Sequence, residues 1–327
     1  MLVPMRDLLD KATIEGYGVV APNVINECTA RVCIEAAEEL HAPLILDVGY
    51  VFHPDLVFLG RMLEEMAVRS SVPIAVNLDH GATYEQVMWA LRAGFTSVMI
   101  DRSTASFEVN VRDTAEIVKA APNALYIIVS NPVDIMTYVF TKISGLPENQ
   151  IIGSGTILDS ARLRCGLSEH FQVAQRNIHA YVFGEHGDTS FIPWSAARIA
   201  GVNVDDYYEM MPLLGKEVEP LDKEEMLTYV QKSGGQIIAN KGATFYAVTR
   251  GVVRLCGFLL SASESITTVS SMMHGEYGIE DVCLSTLALV GPKGIQGKVP
   301  MKLTEEEIGK LKASADALKA VIAQIDL

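Results

Sequence analysis

The chain has 327 residues, 49% of them hydrophobic, and a formal charge of −14. That length accommodates two ordinary domains or one large α/β domain with a sizeable core. The acidic balance and the absence of a Lys/Arg-rich run disfavour nucleic acid and anionic membrane as partners, which leaves small molecules.

From the start to about residue 120, short apolar runs alternate with helical periodicity: YGVVAPNV, PLILDVG, VPIAVNLDH and FTSVMID. This spacing predicts parallel βα units, half of an eight-fold barrel or most of a doubly wound sheet. Working residues in such folds cluster where strands end. Here those ends carry Asn23, Asp47, Asp79-His80-Gly81 and Asp101. ALYIIVSN, the helix VDIMTYVFTKISG and the strand IIGSGT then extend the α/β layer over residues 121–155.

From 156 to 327 the pattern becomes α+β. LDSARLRCGLSEHF reads as a helix, HAYVFGEHGD as a strand ending in a glycine-flanked His, and residues 223–263 as a long helical region. SITTVSSMMHGEYG and VCLSTLALVGPKGIQGKV read as strands and turns, and LTEEEIGKLKASADALKAVIAQI as an amphipathic helix opened by a capping box. No internal repeat or low-complexity linker separates the segments. The five cysteines have no CxxC spacing and an odd count, which suits core thiols in a reducing compartment. No signal-like segment or membrane-length apolar run is present, so a cytoplasmic location is expected.

Two segments carry chemistry. GEHGDTSFIPWS presents His186 in a turn, and histidine exchanges protons near neutral pH. On the helix LDSARLR, Asp159 and Arg162 share a face three residues apart. An Asp can orient an imidazole, and an Arg fork matches a carboxylate, a set suited to a 2-hydroxy acid. From spacing alone, a helix-capping Asp and a surface Arg account for the pair equally well.

VSNPVDIMTYVF, IIGSGTILDSARLR, NIHAYVFGEHGDTSFIPWS and KGATFYAV together resemble L-lactate dehydrogenase, from about residue 117 onward. Glu185 before His186 is similar to lactate rather than malate dehydrogenases. The resemblance implies NAD as cofactor and pyruvate or lactate as substrate. It makes His186 the acid/base, Asp159 its partner and Arg162 the carboxylate clamp. Asn131 and Thr244 become contacts to substrate and the nicotinamide side, and Ser154 a neighbour of the nicotinamide amide. It also implies a homo-oligomer in which Arg164 and His179 bind fructose 1,6-bisphosphate as activator. The departure is large: the chain has no GxGxxG, no ribose-binding acidic residue about twenty positions later and no loop with a transition-state Arg.

NLDHGATYEQVMWALRAGFTSVMIDRS, with GYGVVAPNVINE and APLILDVG, resembles the class II fructose- or tagatose-bisphosphate aldolases, zinc-dependent barrels, over residues 1–120. That resemblance makes Asp79 the proton-transfer carboxylate, His80 a zinc ligand and Asp101 an outer metal-site residue, with the zinc site incomplete because the family's other two histidines come from later barrel strands absent here. The expected whole is a chimera: half-barrel-like βα units, the end of a Rossmann-type sheet, and a dehydrogenase-type α+β substrate domain. A dehydrogenase impaired by loss of its nucleotide-binding half is the leading expectation, with a zinc aldolase and a non-catalytic fusion as alternatives.

Overall fold

The computed structural model describes residues 1–50, 53, 55–81, 83–100, 118, 122–241, 246–260 and 263–325. The chain divides into two compact units, Met1–Asp113 and Thr114–Leu327.

In the first unit, strands β1 (Leu44–Gly49), β2 (Ile74–Gly81) and β3 (Ser97–Ile100) form a parallel sheet in that order. Helix α1 (Met5–Glu15) precedes them. Helices α2 (Glu27–Glu39), α3 (Leu56–Arg69) and α4 (Tyr84–Arg92) alternate with the strands. Apolar spacing explains the packing. Ala30, Ile34 and Ala37 recur on one face of α2, and Leu56, Leu59, Leu63 and Ala67 on one face of α3. Both faces close on Leu46, Val48, Ile74, Val76 and Leu78 of the sheet. The side chain of Asn26 accepts from the Thr29 N–H and that of Thr29 from the Asn26 N–H, a reciprocal cap that fixes where α2 starts.

The first expected strand, YGVVAPNV, is reduced to isolated parallel bridges, Val20 with Leu44 and Asn23 with Asp47. Pro22 has no N–H to give, which interrupts a continuous ladder at this edge. Its carbonyl still accepts from Asp47 N.

In the second unit a five-stranded sheet runs in the order β11-β10-β9-β5-β4. Strands β4 (Tyr126–Ile128) and β5 (Ile151–Gly153) are parallel, with helix α5 (Val133–Ser144) between them in sequence. Strands β9 (Ser265–His274), β10 (Glu280–Gly291) and β11 (Gly294–Lys298) are antiparallel. The parallel and antiparallel parts meet where Gly153 pairs with Ser270. A Cβ on Gly153 would lie 2.4 Å from Thr137 Oγ1 and 2.7 Å from Ser270 Cβ, so only glycine admits this approach. The expected fold class holds: a short parallel α/β remnant continuing into an α+β layer.

Helix α6 (Ile157–Phe171) buries Leu163, Leu167 and Phe171 against Ile178, Val182 and Ile199. The expected strand HAYVFGEHGD is shorter than its alternation suggests. Strand β6 covers only Ile178–His179, which pairs with β7 (Arg198–Ile199) and through it with β8 (Val202–Asn203). Beyond it, single bridges tie Phe183 to Phe191 and Gly184 to Ser285. Helix α7 (Val204–Met210) follows β8 directly. The helical region appears as α8 (Lys223–Lys241) and α9 (Tyr246–Leu260). Helix α10 (Glu305–Ile322) starts at the expected capping box, Thr304 with Glu307.

Candidate active site

Parallel strands β4 and β5 aim their C-terminal ends at a cleft of about 250 Å³ within the second unit. Asn131 and Ser154 stand at the two strand exits. Asp159 and Arg162 enter from the first turns of α6, His186 from the 184–187 turn, and Gln231 from α8. Ile157, Val248 and Val252 supply an apolar side.

The His186 turn depends on its flanking glycine. Gly184 has φ +95°, and a Cβ there would meet Ser314 Oγ at 2.9 Å. The Ser314 hydroxyl in turn accepts from Glu185 N. Phe183 and Phe191 anchor the loop's two ends by backbone bonds in both directions.

Asp159 is only 5% exposed and makes two bonds that justify its burial. Its Oδ2 lies 2.5 Å from His186 Nδ1, and its Oδ1 accepts from Arg162 Nη1 at 3.0 Å. The spacing expectation is thus met by one carboxylate joining imidazole and guanidinium. The bond to Asp159 raises the His186 pKa above its ordinary 6.5; burial opposes the rise, and Arg162 opposes it further. With Nδ1 engaged by Asp159, Nε2 is the nitrogen left for a substrate. Gly234 of α8 lies against the guanidinium, where a Cβ would make only an ordinary contact, 3.6 Å from Arg162 Nη2.

Two residues at this site take their roles from the tertiary fold and not from local spacing. Gln231 donates to the carbonyls of Asp188 and Ser190, tying α8 to the loop after His186. Asp134, in the Asn-Pro-Val-Asp run, accepts from the His186 N–H at 2.7 Å. An acidic residue inside an otherwise apolar helix start was the available clue. Thr244, expected to contact the substrate and the nicotinamide side, lies outside the described residues.

Arg164 and His179 lie outside this cleft's lining. Arg164 Nη1 donates to the Ala180 carbonyl at 3.5 Å, and His179 is exposed opposite Arg198 in the small sheet. Burial and the neighbouring charge of Arg254 lower the Arg164 pKa.

The first unit's strand ends are organised differently from the zinc expectation. Asn77 Nδ2 donates to Asp47 Oδ1 at 2.6 Å, and Asn23 Nδ2 donates to Asp79 Oδ2 at 2.9 Å. His80 is exposed, with Nε2 3.6 Å from Asp79 Oδ1. Among the described residues no three His, Cys, Asp or Glu side chains converge to hold a metal. A catalytic zinc needs about three protein ligands, so the described residues around His80 do not fit one. Asp101 lies outside the described residues. Likewise, no described helix is long and apolar enough to cross a membrane.

Comparison with known proteins follows the same division. The family model for fructose-bisphosphate aldolase class-II matches residues 3–128. The model for the NAD binding domain of lactate/malate dehydrogenase matches residues 106–153, and that for the family's alpha/beta C-terminal domain matches residues 156–326. L-lactate dehydrogenase of Thermoanaerobacter sp. (strain X514) is 43% identical over 229 residues, covering 70% of this chain and 72% of that protein. The enzyme of Acetivibrio thermocellus is 42% identical over 229 residues, covering 70% of each. Among solved structures, L-lactate dehydrogenase from Clostridium thermocellum superimposes with a TM-score of 0.67 at 28% identity, covering 95% of this chain and all of that one. By its C-terminal domain, and by relatives matched over more than two thirds of their length, the chain belongs to the lactate/malate dehydrogenase family.

Proposed function

We propose that this chain is an L-lactate dehydrogenase-type oxidoreductase whose second unit handles a small 2-hydroxy or 2-oxo acid. The observation that carries the reading is the bonded set Arg162–Asp159–His186 lining one cleft. Arg162 binds the substrate carboxylate through donors not engaged by Asp159, which places the substrate's C2 oxygen towards His186. In oxidation, His186 Nε2 takes the hydroxyl proton, and the Asp159 carboxylate stabilises the resulting imidazolium. In reduction the same nitrogen returns the proton to the carbonyl oxygen. Asn131 orients that oxygen from the β4 exit.

The cofactor is NAD, which when bound supplies or accepts the hydride at substrate C2. Asn131 and Ser154 at the exits of the parallel pair fit its nicotinamide end, beside the apolar side formed by Ile157, Val248 and Val252. Strand exits of this kind are where dinucleotides sit in open α/β sheets. The phosphate and adenosine portions have no glycine-rich fingerprint in this sequence, so a weak apparent affinity for the cofactor follows.

Lactate and pyruvate are favoured as substrates, in keeping with the resemblance that Glu185 before His186 carries. The clustering of Arg164 with Arg254 is relieved by a phosphate dianion, which supports a sugar bisphosphate activator at Arg164 and His179 in an oligomer. The test is NADH oxidation with pyruvate, with and without fructose 1,6-bisphosphate. The expected result is pyruvate-dependent turnover that the bisphosphate stimulates, with stimulation lost in Arg164→Gln. Stimulation that survives Arg164→Gln removes Arg164 from the activator site.

A further inference from the structure

A second carboxylate, Asp134, lies beneath the His186 turn. It is the second residue of α5 and is 3% exposed. Its Oδ2 accepts from the His186 N–H at 2.7 Å, while its Oδ1 is buried without a hydrogen-bond partner, as is the nearby Ser270 Oγ. A lone backbone N–H is satisfied equally well by a neutral acceptor such as Asn. Burying a carboxylate with one oxygen unpartnered is a costly way to do it. A cap alone therefore does not account for a charged residue here.

The charge has a nearby use. His186 is faced by Asp159 and Arg162 from α6 and by Asp134 from α5, and Glu185 adjoins it in the turn. Asp159 contacts the ring, whereas Asp134 contacts the backbone of the same residue from the opposite element. We infer that Asp134 is a positioning residue for proton transfer, holding the His186 turn through its amide and favouring the imidazolium by its negative charge. The inference rests on the reading of His186 as the proton carrier. No bond is made or broken at Asp134, and the proton stays on the imidazole.

The electrostatics agree in sign. Asp159 and then Asp134 raise the His186 pKa, against burial and Arg162. Burial pushes Asp134 itself up to about 6, opposed by the His186 N–H and by the nearby Ser270 hydroxyl, which stands outside hydrogen-bond geometry with it. Above that pH the carboxylate is ionised and supports the imidazolium; below it the support is withdrawn.

The test is a histidine NMR titration of the full chain, with His186 assigned from the signal lost in His186→Asn. Asp134→Asn keeps an acceptor for the amide and removes the charge. The expected result is a lower titration midpoint for the His186 ring with its amide still hydrogen-bonded. An unchanged midpoint would reduce Asp134 to a neutral cap and overturn the inference. In a chain that turns over, Asp134→Asn also moves the alkaline fall in pyruvate reduction to lower pH and lowers kcat, with KM for pyruvate retained. The ring midpoint requires no turnover. Failure of the dehydrogenase reading therefore shows as absent turnover beside a shifted midpoint, and failure of this inference as a midpoint that does not move.

Discussion

Asp159 explains why a charged triad can sit in an interior. Each of its oxygens has a cationic or protonatable partner, so the desolvation of one carboxylate is offset by two charge-assisted bonds. Removing either partner leaves the others exposed to that penalty. Arg162→Lys keeps the charge but loses the planar fork. The expected consequence is a rise in KM for pyruvate of roughly tenfold or more, because one ammonium cannot serve Asp159 and the substrate together. Steady-state kinetics check it, and an unchanged KM would place the carboxylate elsewhere. His186 and its helix partners were legible in the sequence because Gly-Glu-His-Gly and Asp-Ser-Ala-Arg carry their geometry in local spacing. Asp134 and Gln231 were not, since their roles depend on which turn folds over them. His80 was legible as part of a motif, and so was the shortage of further zinc ligands, but its exposure was not.

Local signals placed helices better than strands. The α10 start follows from Thr304 and Glu307 alone, because a reciprocal cap satisfies donors within four residues. Here Glu307 also accepts from Ser195 N and Oγ, which fastens the helix to a distant turn. Thr304→Ala should therefore lower stability by about 1 kcal/mol, measured by chemical denaturation, while Glu307→Ala should have the larger effect because it severs both attachments. Equal effects would show that the Ser195 bonds contribute nothing. Strands behave differently because alternation in HAYVFGEHGD reports burial on one side without specifying a ladder. Phe183 and Phe191 bridge across a turn, and Gly184 pairs singly with Ser285, so the segment is buried like a strand but is not paired as one. YGVVAPNV fails for the separate reason that Pro22 interrupts the donors.

The two family matches overlap over residues 106–128, and the compact units divide at Asp113 and Thr114 within that overlap. A helix leading into the next parallel strand is the same local grammar in both families, which is why IVKAAPNALYII suits either. Among the described strand ends of the first unit, Asp47 and Asp79 are committed to amide–carboxylate pairs with Asn77 and Asn23. Burial pushes Asp47 up to about 6 from an ordinary 3.8, despite the bond from Asn77, with Asp79 adding to the rise. A folded-state pKa raised above the open-chain value means the fold binds more protons between those limits. This contribution to stability is thus greatest at low pH and is lost as pH rises through about 4 to 6. Asp47→Asn retains an acceptor for Asn77 and removes the dependence. Relative to wild type it should stabilise the unit at pH 7.5 more than at pH 4.5, read from Trp89 fluorescence during denaturation. A pH-independent difference would contradict that assignment.

The central claim is that His186, Asp159 and Arg162 form a working substrate site in this chain, and its most direct test is NADH oxidation with pyruvate by folded wild type beside His186→Asn. The account predicts pyruvate-dependent oxidation in wild type that disappears in the variant while the fold is retained. Identical behaviour of the two proteins, whether both active or both inactive, would contradict it.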